Sequence, residues 1–148
     1  MRPAPRRVRL LVVMLSVVFA LQGLSWVVLG SLEPTGFYDG LLARSQLGLP
    51  ALTPEAAATQ RFLLIPFGAT DAAYFTMAAL VGWFGFRERW ALGAVAGSFA
   101  LWWVVDSVGC AVIGAWFNVW VVNVPCLLAY GTALSLWAWT RPAASDAA

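Results

Sequence analysis

The sequence contains no lysine, no histidine and only two cysteines, and charged residues fill just 11% of its 148 positions. Each shortage excludes something. Without histidine the chain lacks the commonest acid/base group near neutral pH and the commonest ligand of zinc, copper or haem. Without lysine it has no Schiff-base chemistry. Cys110 and Cys126 form no C-x-x-C pair, so a thioredoxin-type redox motif is absent and both read as small buried hydrophobes. No metal site and no cofactor are expected, and nothing in the composition points to nucleic acid. A soluble domain carries about a quarter charged residues. The low charge, set beside 61% hydrophobic residues and nine tryptophans, points instead to a chain whose surface faces lipid.

Apolar runs are what the sequence has in abundance. A bilayer core of ~30 Å needs about 20 apolar residues in a helix. Four such runs can be drawn, at about 10–30, 62–86, 90–115 and 119–140. The first follows a basic start, as a secretory signal would. It is longer than the ~7–15 residues of a signal core, and no clear small-residue cleavage site follows, so it reads as a retained span. Only Arg87-Glu88-Arg89 separates the second run from the third, and a short uncharged stretch including Trp116 to Asn118 separates the third from the fourth. Such short connections force helix hairpins. The expected fold is an all-α integral membrane protein: a single domain, 1–148, of four antiparallel transmembrane helices in a bundle.

Arginine placement sets the expected topology. Putting the N-terminus in the cytoplasm places Arg2, Arg6, Arg7, Arg9, Arg87, Arg89 and Arg141 on that side, and only Arg44 and Arg61 opposite. By the positive-inside rule both termini are then cytoplasmic, in a multi-pass protein of the cell membrane. The loop 31–61 is external, with turn formers at Pro34, Gly36, Gly40, Gly48 and Pro50 and an interfacial mixture of polar and apolar residues between them. Within it, Thr53-Pro54-Glu55 reads as a helix start: an N-cap, a proline at the first helical position, and an acid complementing the dipole. The second helix is therefore expected to begin ahead of its apolar run and to bend at Pro66.

The polar residues inside the runs carry the functional reading. An ionised carboxylate at the membrane centre costs at least ~2.5–3.5 kcal/mol, so intramembrane acids are rarely idle. Asp71 lies 17 residues before Glu88, and Asp106 lies 18 residues after it. In a hairpin that count sets the two at one level, roughly 10 Å inside the external boundary. Gln22 falls at a similar depth, and Asn123 somewhat shallower. Helical phase groups each of them with aromatic side chains, of which Tyr74, Trp102 and Trp103 stand at the depth of the aspartates. Pro125 removes a helical hydrogen bond and frees the carbonyl of Val121 close to Asn123.

Three functions follow as expectations. The leading one is a non-catalytic protein with an outer-leaflet cavity that binds a lipophilic or cationic small molecule. Asp71 and Asp106 anchor it, Gln22 and Asn123 add hydrogen bonds, and Tyr74, Trp102 and Trp103 form walls suited to cation–π attraction. In the second, one protonated and one ionised aspartate, Asp71 and Asp106, act as catalytic acid and base on a lipid, as in a double-bond isomerisation. In the third, the chain is an accessory or scaffold subunit of a larger complex. Gly93 and Gly97, a small-residue pair on the third helix, would then provide a homo- or hetero-oligomer contact. The structural alternative for the aspartates is helix glue, in which a protonated side chain bonds Gln22, Asn123, Ser107 or Thr70.

Four spans with cytoplasmic ends and intramembrane acids resemble, in architecture, the EXPERA group that includes sterol isomerases. This chain has no histidine for that isomerase site. The four-span quinone-linked thiol oxidases need paired external cysteines, which are also missing. No family is assigned on these grounds, and no site residue is carried over.

Overall fold

The computed structural model describes residues 5–29 and 37–140. Arg2 and Arg141 of the charge count, and Pro34 and Gly36 of the 31–61 loop, lie outside the described residues. Among the described residues every regular element is helical. We label them α1 (Pro5–Leu29), α2 (Phe37–Leu42, continued by a π-helical turn Ala43–Leu47), α3 (Pro54–Phe84), α4 (Arg89–Val112) and α5 (Trp116–Trp139). Helices α1, α3, α4 and α5 are each long and apolar enough to cross a membrane. Their outward faces carry large apolar side chains such as Val28, Phe84 and Val112, as contact with lipid requires.

Helix α3 starts at Pro54, eight residues ahead of the apolar run that begins at 62. Its first turn is capped as the sequence suggests: the Thr53 hydroxyl accepts the Ala56 N–H at 3.3 Å. Removing that acceptor leaves one of the four orphan amides of the turn unsatisfied. Thr53→Ala is expected to cost about 1 kcal/mol and to speed amide exchange at Ala56 in a hydrogen-exchange measurement, with the middle of α3 unaffected.

The tightest helix contact is between α1 and α3, where two glycines meet. A Cβ added at Gly68 would lie 2.5 Å from the Gly23 carbonyl oxygen, and one added at Gly23 would lie 2.7 Å from the Gly68 oxygen. Two backbones can approach this closely only where neither residue has a side chain. The core beyond this crossing is aromatic. Phe19, Phe75, Phe99 and Tyr130 pack ring to ring at centroid distances of 4.9 to 6.1 Å. The Tyr130 hydroxyl sits 2.8 Å from Ser16 Oγ, which itself donates to the Val12 carbonyl. At the turn joining α3 to α4, Phe86 stacks on Trp137 at 5.0 Å, and the Trp137 indole donates to the Phe86 carbonyl at 2.9 Å. That contact ties the end of α5 to the α3–α4 connection.

Helix α5 is not a uniform α-helix. Wider π turns occupy Val119–Asn123 and Leu127–Gly131, on either side of Pro125. Proline has no amide hydrogen and its ring crowds the preceding turn, so the chain relieves the misfit by winding more loosely around it. The connection from α4 is closed by Gly114 at φ 76°, with the Ala115 N–H bonded to the Cys110 carbonyl at 2.8 Å. An L side chain at position 114 would be strained by that backbone conformation.

Candidate functional site

The site is built around Asp106, in the last third of α4. One of its oxygens, Oδ2, collects three donors. Asn123 Nδ2 is 2.7 Å away, Asn118 Nδ2 3.3 Å, and the Cys110 thiol 3.8 Å. Cys110 is one helical turn from Asp106, so it shares its face by simple periodicity. The two asparagines meet there for a different reason. Residues five apart lie about 140° apart round an α-helix, too far for Asn118 and Asn123 to address one oxygen. The π turn over Val119–Asn123 winds i to i+5 onto nearly one face and brings both amides to α4.

Each amide is fixed from behind. Asn123 is fully buried; its Nδ2 also donates to Ser107 Oγ at 2.9 Å, and its backbone carbonyl accepts the Trp103 indole N–H at 2.9 Å. Its Oδ1 has no hydrogen-bond partner among the described residues. A buried acceptor left unpaired costs roughly 1–3 kcal/mol, which is offset here by delivering both amide hydrogens to Asp106 and Ser107. Asn118 Oδ1 accepts the Tyr38 hydroxyl at 2.7 Å, which reaches across from α2. Burial above all pushes the Tyr38 phenol above its ordinary range, with the neighbouring Cys110, Asp106 and Asp39 acting in the same direction. Tyr38 therefore stays a donor across the physiological range. A second polar contact holds the same segment, with Gln60 Nε2 donating to Asp39 Oδ1 at 2.8 Å.

A cavity of about 640 Å³ lies against this network, within the 300–1,000 Å³ usual for small-molecule sites. All five helices contribute to it. Trp26 of α1 and Phe67 of α3 stack flat, 5.4 Å between centroids and 2° between planes, and both line the wall with Trp102 of α4. Tyr38 and Leu42 of α2 also line it, and its polar side chains include Asp106, Cys110 and Asn118 together with Gln46, Gln60 and Thr70. Asp106 Oδ1 makes no hydrogen bond among the described residues and is not a buried orphan either, so it is accessible, on a side chain that lines the cavity.

The residues singled out from sequence fall into different places. Asp106 and Trp102 line the cavity. Asn123 and Trp103 do not line it but hold Asp106 from behind. Tyr74 pins α3 to α4, with its hydroxyl 3.2 Å from Ser98 Oγ and 3.3 Å from the Val95 carbonyl. Gln22 is exposed on α1 and is not part of the cavity wall. Asp71 is likewise not part of that wall; its Cβ lies beside Gly23 at the α1–α3 crossing. The structure thus groups Asp106 with two asparagines, and places Asp71 against α1. Equal depth along two helices fixes a level; the direction each side chain takes depends on how its helix is turned.

Asn118, Tyr38 and Cys110 are the site residues that sequence reasoning passed over. Asn118 was legible only as part of a turn and Tyr38 as part of a loop. The one usable signal was the four-residue spacing of Asp106 and Cys110. Among the described residues no group of three or more histidine, cysteine, aspartate or glutamate side chains is placed to hold a metal ion. Among the described residues, and apart from the backbone of its own helix, a Cβ at Gly93 or Gly97 would find no atom within 4 Å. Neither a family model nor a curated protein nor a solved structure matches the chain.

Proposed function

We propose that the protein is a non-catalytic component of the cell membrane that binds a lipophilic cation in this cavity, with Asp106 as the charge partner. The four long helices form an antiparallel bundle with both termini in the cytoplasm, as the arginine bias suggests. The cavity then opens in the outer leaflet, and α2 with its π turn caps it from the external side. The observation that carries this reading is a carboxylate on the wall of a largely apolar, aromatic-lined cavity, with one oxygen held by three donors and the other without a hydrogen bond among the described residues. A hydrocarbon tail would occupy the Trp26–Phe67–Trp102 wall. An ammonium head would meet Asp106 Oδ1, with cation–π attraction from the Trp102 face. Asn118, Asn123 and Tyr38 are positioning residues in this account, since they act through Asp106.

Cys110 provides the test because its thiol lines the cavity, whereas Cys126 is buried outside it. In a Cys126→Ala background, a lipophilic maleimide is expected to modify Cys110. Decyltrimethylammonium should slow that reaction in a saturable manner, and decanol should slow it far less. Equal protection by both, or none by either, would remove the support for a cation site.

One observation favours a second reading as a subunit of a larger assembly. Helix α4 is the least buried of the four long helices, and the Gly93/Gly97 face is open. A second copy of this chain is the occupant such a self-complementary small-residue face suits. Gly97→Leu is expected to abolish a dimer in gentle detergent while preserving Cys110 protection. A wild-type protein that remains monomeric across a concentration series would dismiss this reading.

A further inference from the structure

A second recess, of about 370 Å³, lies where the start of α1 meets the end of α3 and the turn that follows. It is about 26 Å along α4 from Asp106, counting seventeen residues from Arg89 at 1.5 Å each. It therefore has no part in the cavity already described. Three arginines line it, Arg6 and Arg9 from α1 and Arg87 from the turn, together with the single carboxylate of Glu88.

Arg9 is held as a solvated surface arginine is not. Its guanidinium carbon lies 4.9 Å over the Trp83 ring, and its Nε is buried with no hydrogen-bond partner among the described residues. The ring fixes the cation in place beside two others of the same sign. Three guanidinium groups against the one carboxylate of Glu88 leave the recess with an excess of positive charge that an anion would offset, and guanidinium groups match phosphate oxygens in geometry as well as charge. The rest of the recess is apolar. Trp83 and Phe84 line it, and Phe84 is 79% exposed on the face that a bilayer would cover. A cationic recess opening beside an apolar, lipid-facing ring fits a molecule with an anionic head and a hydrocarbon tail.

We propose that this recess binds the phosphate of an anionic phospholipid, with Arg6, Arg9 and Arg87 around the headgroup and an acyl chain along Phe84. The inference shares with the proposed function two premises, that the helices lie in a bilayer and that this end of them faces the cytoplasm. On the arginine count this is the cytoplasmic face, where basic pockets meet anionic lipid headgroups. Arg7, adjacent in sequence, equally charged and exposed as Arg6 and Arg87 are, does not line the recess. Its substitution therefore separates a built site from general attraction between charges.

The experiment is native mass spectrometry of the full chain released from detergent with phosphatidylglycerol, phosphatidylcholine or inorganic phosphate added. Wild type should retain phosphatidylglycerol roughly tenfold better than phosphatidylcholine. The Arg6→Gln/Arg87→Gln variant should lose that preference and Arg7→Gln should keep it. The single variant Arg6→Gln should show a smaller loss in the same direction. Displacement of phosphatidylglycerol by millimolar inorganic phosphate would support phosphate as the recognised group. Equal retention of the two lipids by wild type, or a loss in Arg7→Gln as large as in the double variant, would overturn the proposal. Binding of inorganic phosphate without retention of phosphatidylglycerol would overturn the lipid as occupant. Intact protection of Cys110 in the same variants reports separately on the cavity at Asp106, so failure of one site is not mistaken for failure of the other.

Discussion

Replacing Asp106 with asparagine is expected to weaken binding of a long-chain trimethylammonium probe by about thirtyfold or more, which corresponds to ~2 kcal/mol or more. The substitution changes charge and almost nothing else. Asn118 and Asn123 can still donate to an amide oxygen at position 106, so the contacts at 2.7 and 3.3 Å that hold α5 against α4 have an acceptor to go to. The loss would therefore report the missing negative charge at the cavity wall rather than a collapse of the site. Asn123→Ala should be worse tolerated, because it removes the shortest of the three donors to Asp106 and the donor to the buried Ser107 hydroxyl. Equilibrium titration of the purified Asp106→Asn protein checks the first expectation, with the melting temperature read in parallel to show that the fold survives. An unchanged affinity would mean that Asp106 holds helices together and nothing more.

The largest effect on stability is expected at Gly68. Alanine there would press its Cβ against the Gly23 carbonyl oxygen, 2.5 Å away, with side chains of Val27 and Trp26 at 3.1 and 3.2 Å. The first of these is backbone and cannot rotate aside, so α1 and α3 would have to separate. Overpacking of this kind costs typically 1–3 kcal/mol, and the immobility of the clashing atom places Gly68→Ala at the upper end, about 3 kcal/mol. Gly97→Ala is the control. Its Cβ would meet nothing within 4 Å among the described residues beyond its own helix, and alanine is the better helix former, so the melting temperature should stay level or rise. A Gly68→Ala protein as stable as wild type in thermal unfolding would contradict the close crossing of α1 and α3.

The contrast between these two glycine pairs shows what sequence could and could not reveal. Gly93 and Gly97 stand four apart on one helix and form a recognisable pattern. Gly23 and Gly68 are single residues on different helices whose pairing exists only after packing. The apolar runs were legible because length and hydropathy are local properties, and so was the Thr53 cap, which involves three consecutive residues. Asp106 was conspicuous because a carboxylate has no cheap place in an apolar run. Its partners were hidden. Asn118 reaches it only through a π turn induced beside Pro125, and no periodicity of 3.6 would set Asn118 and Asn123 side by side. Tyr38 arrives from a segment 68 residues earlier in the chain. Asp71 illustrates the opposite case: counting residues from Glu88 gave it the level of Asp106, while the approach of α1 at Gly23 determines what it packs beside.

Recognition of positive charge as well as hydrocarbon is the property proposed for this cavity. It is tested most directly by comparing two ligands of one shape, a decyltrimethylammonium ion and its neutral carbon isostere with a tert-butyl head, in equilibrium titrations of the wild-type protein in lipid nanodiscs. The cation is expected to bind at least about tenfold more tightly, equivalent to ~1.4 kcal/mol, and this preference to disappear in Asp106→Asn. Equal affinities for the two heads in the wild-type protein would contradict it.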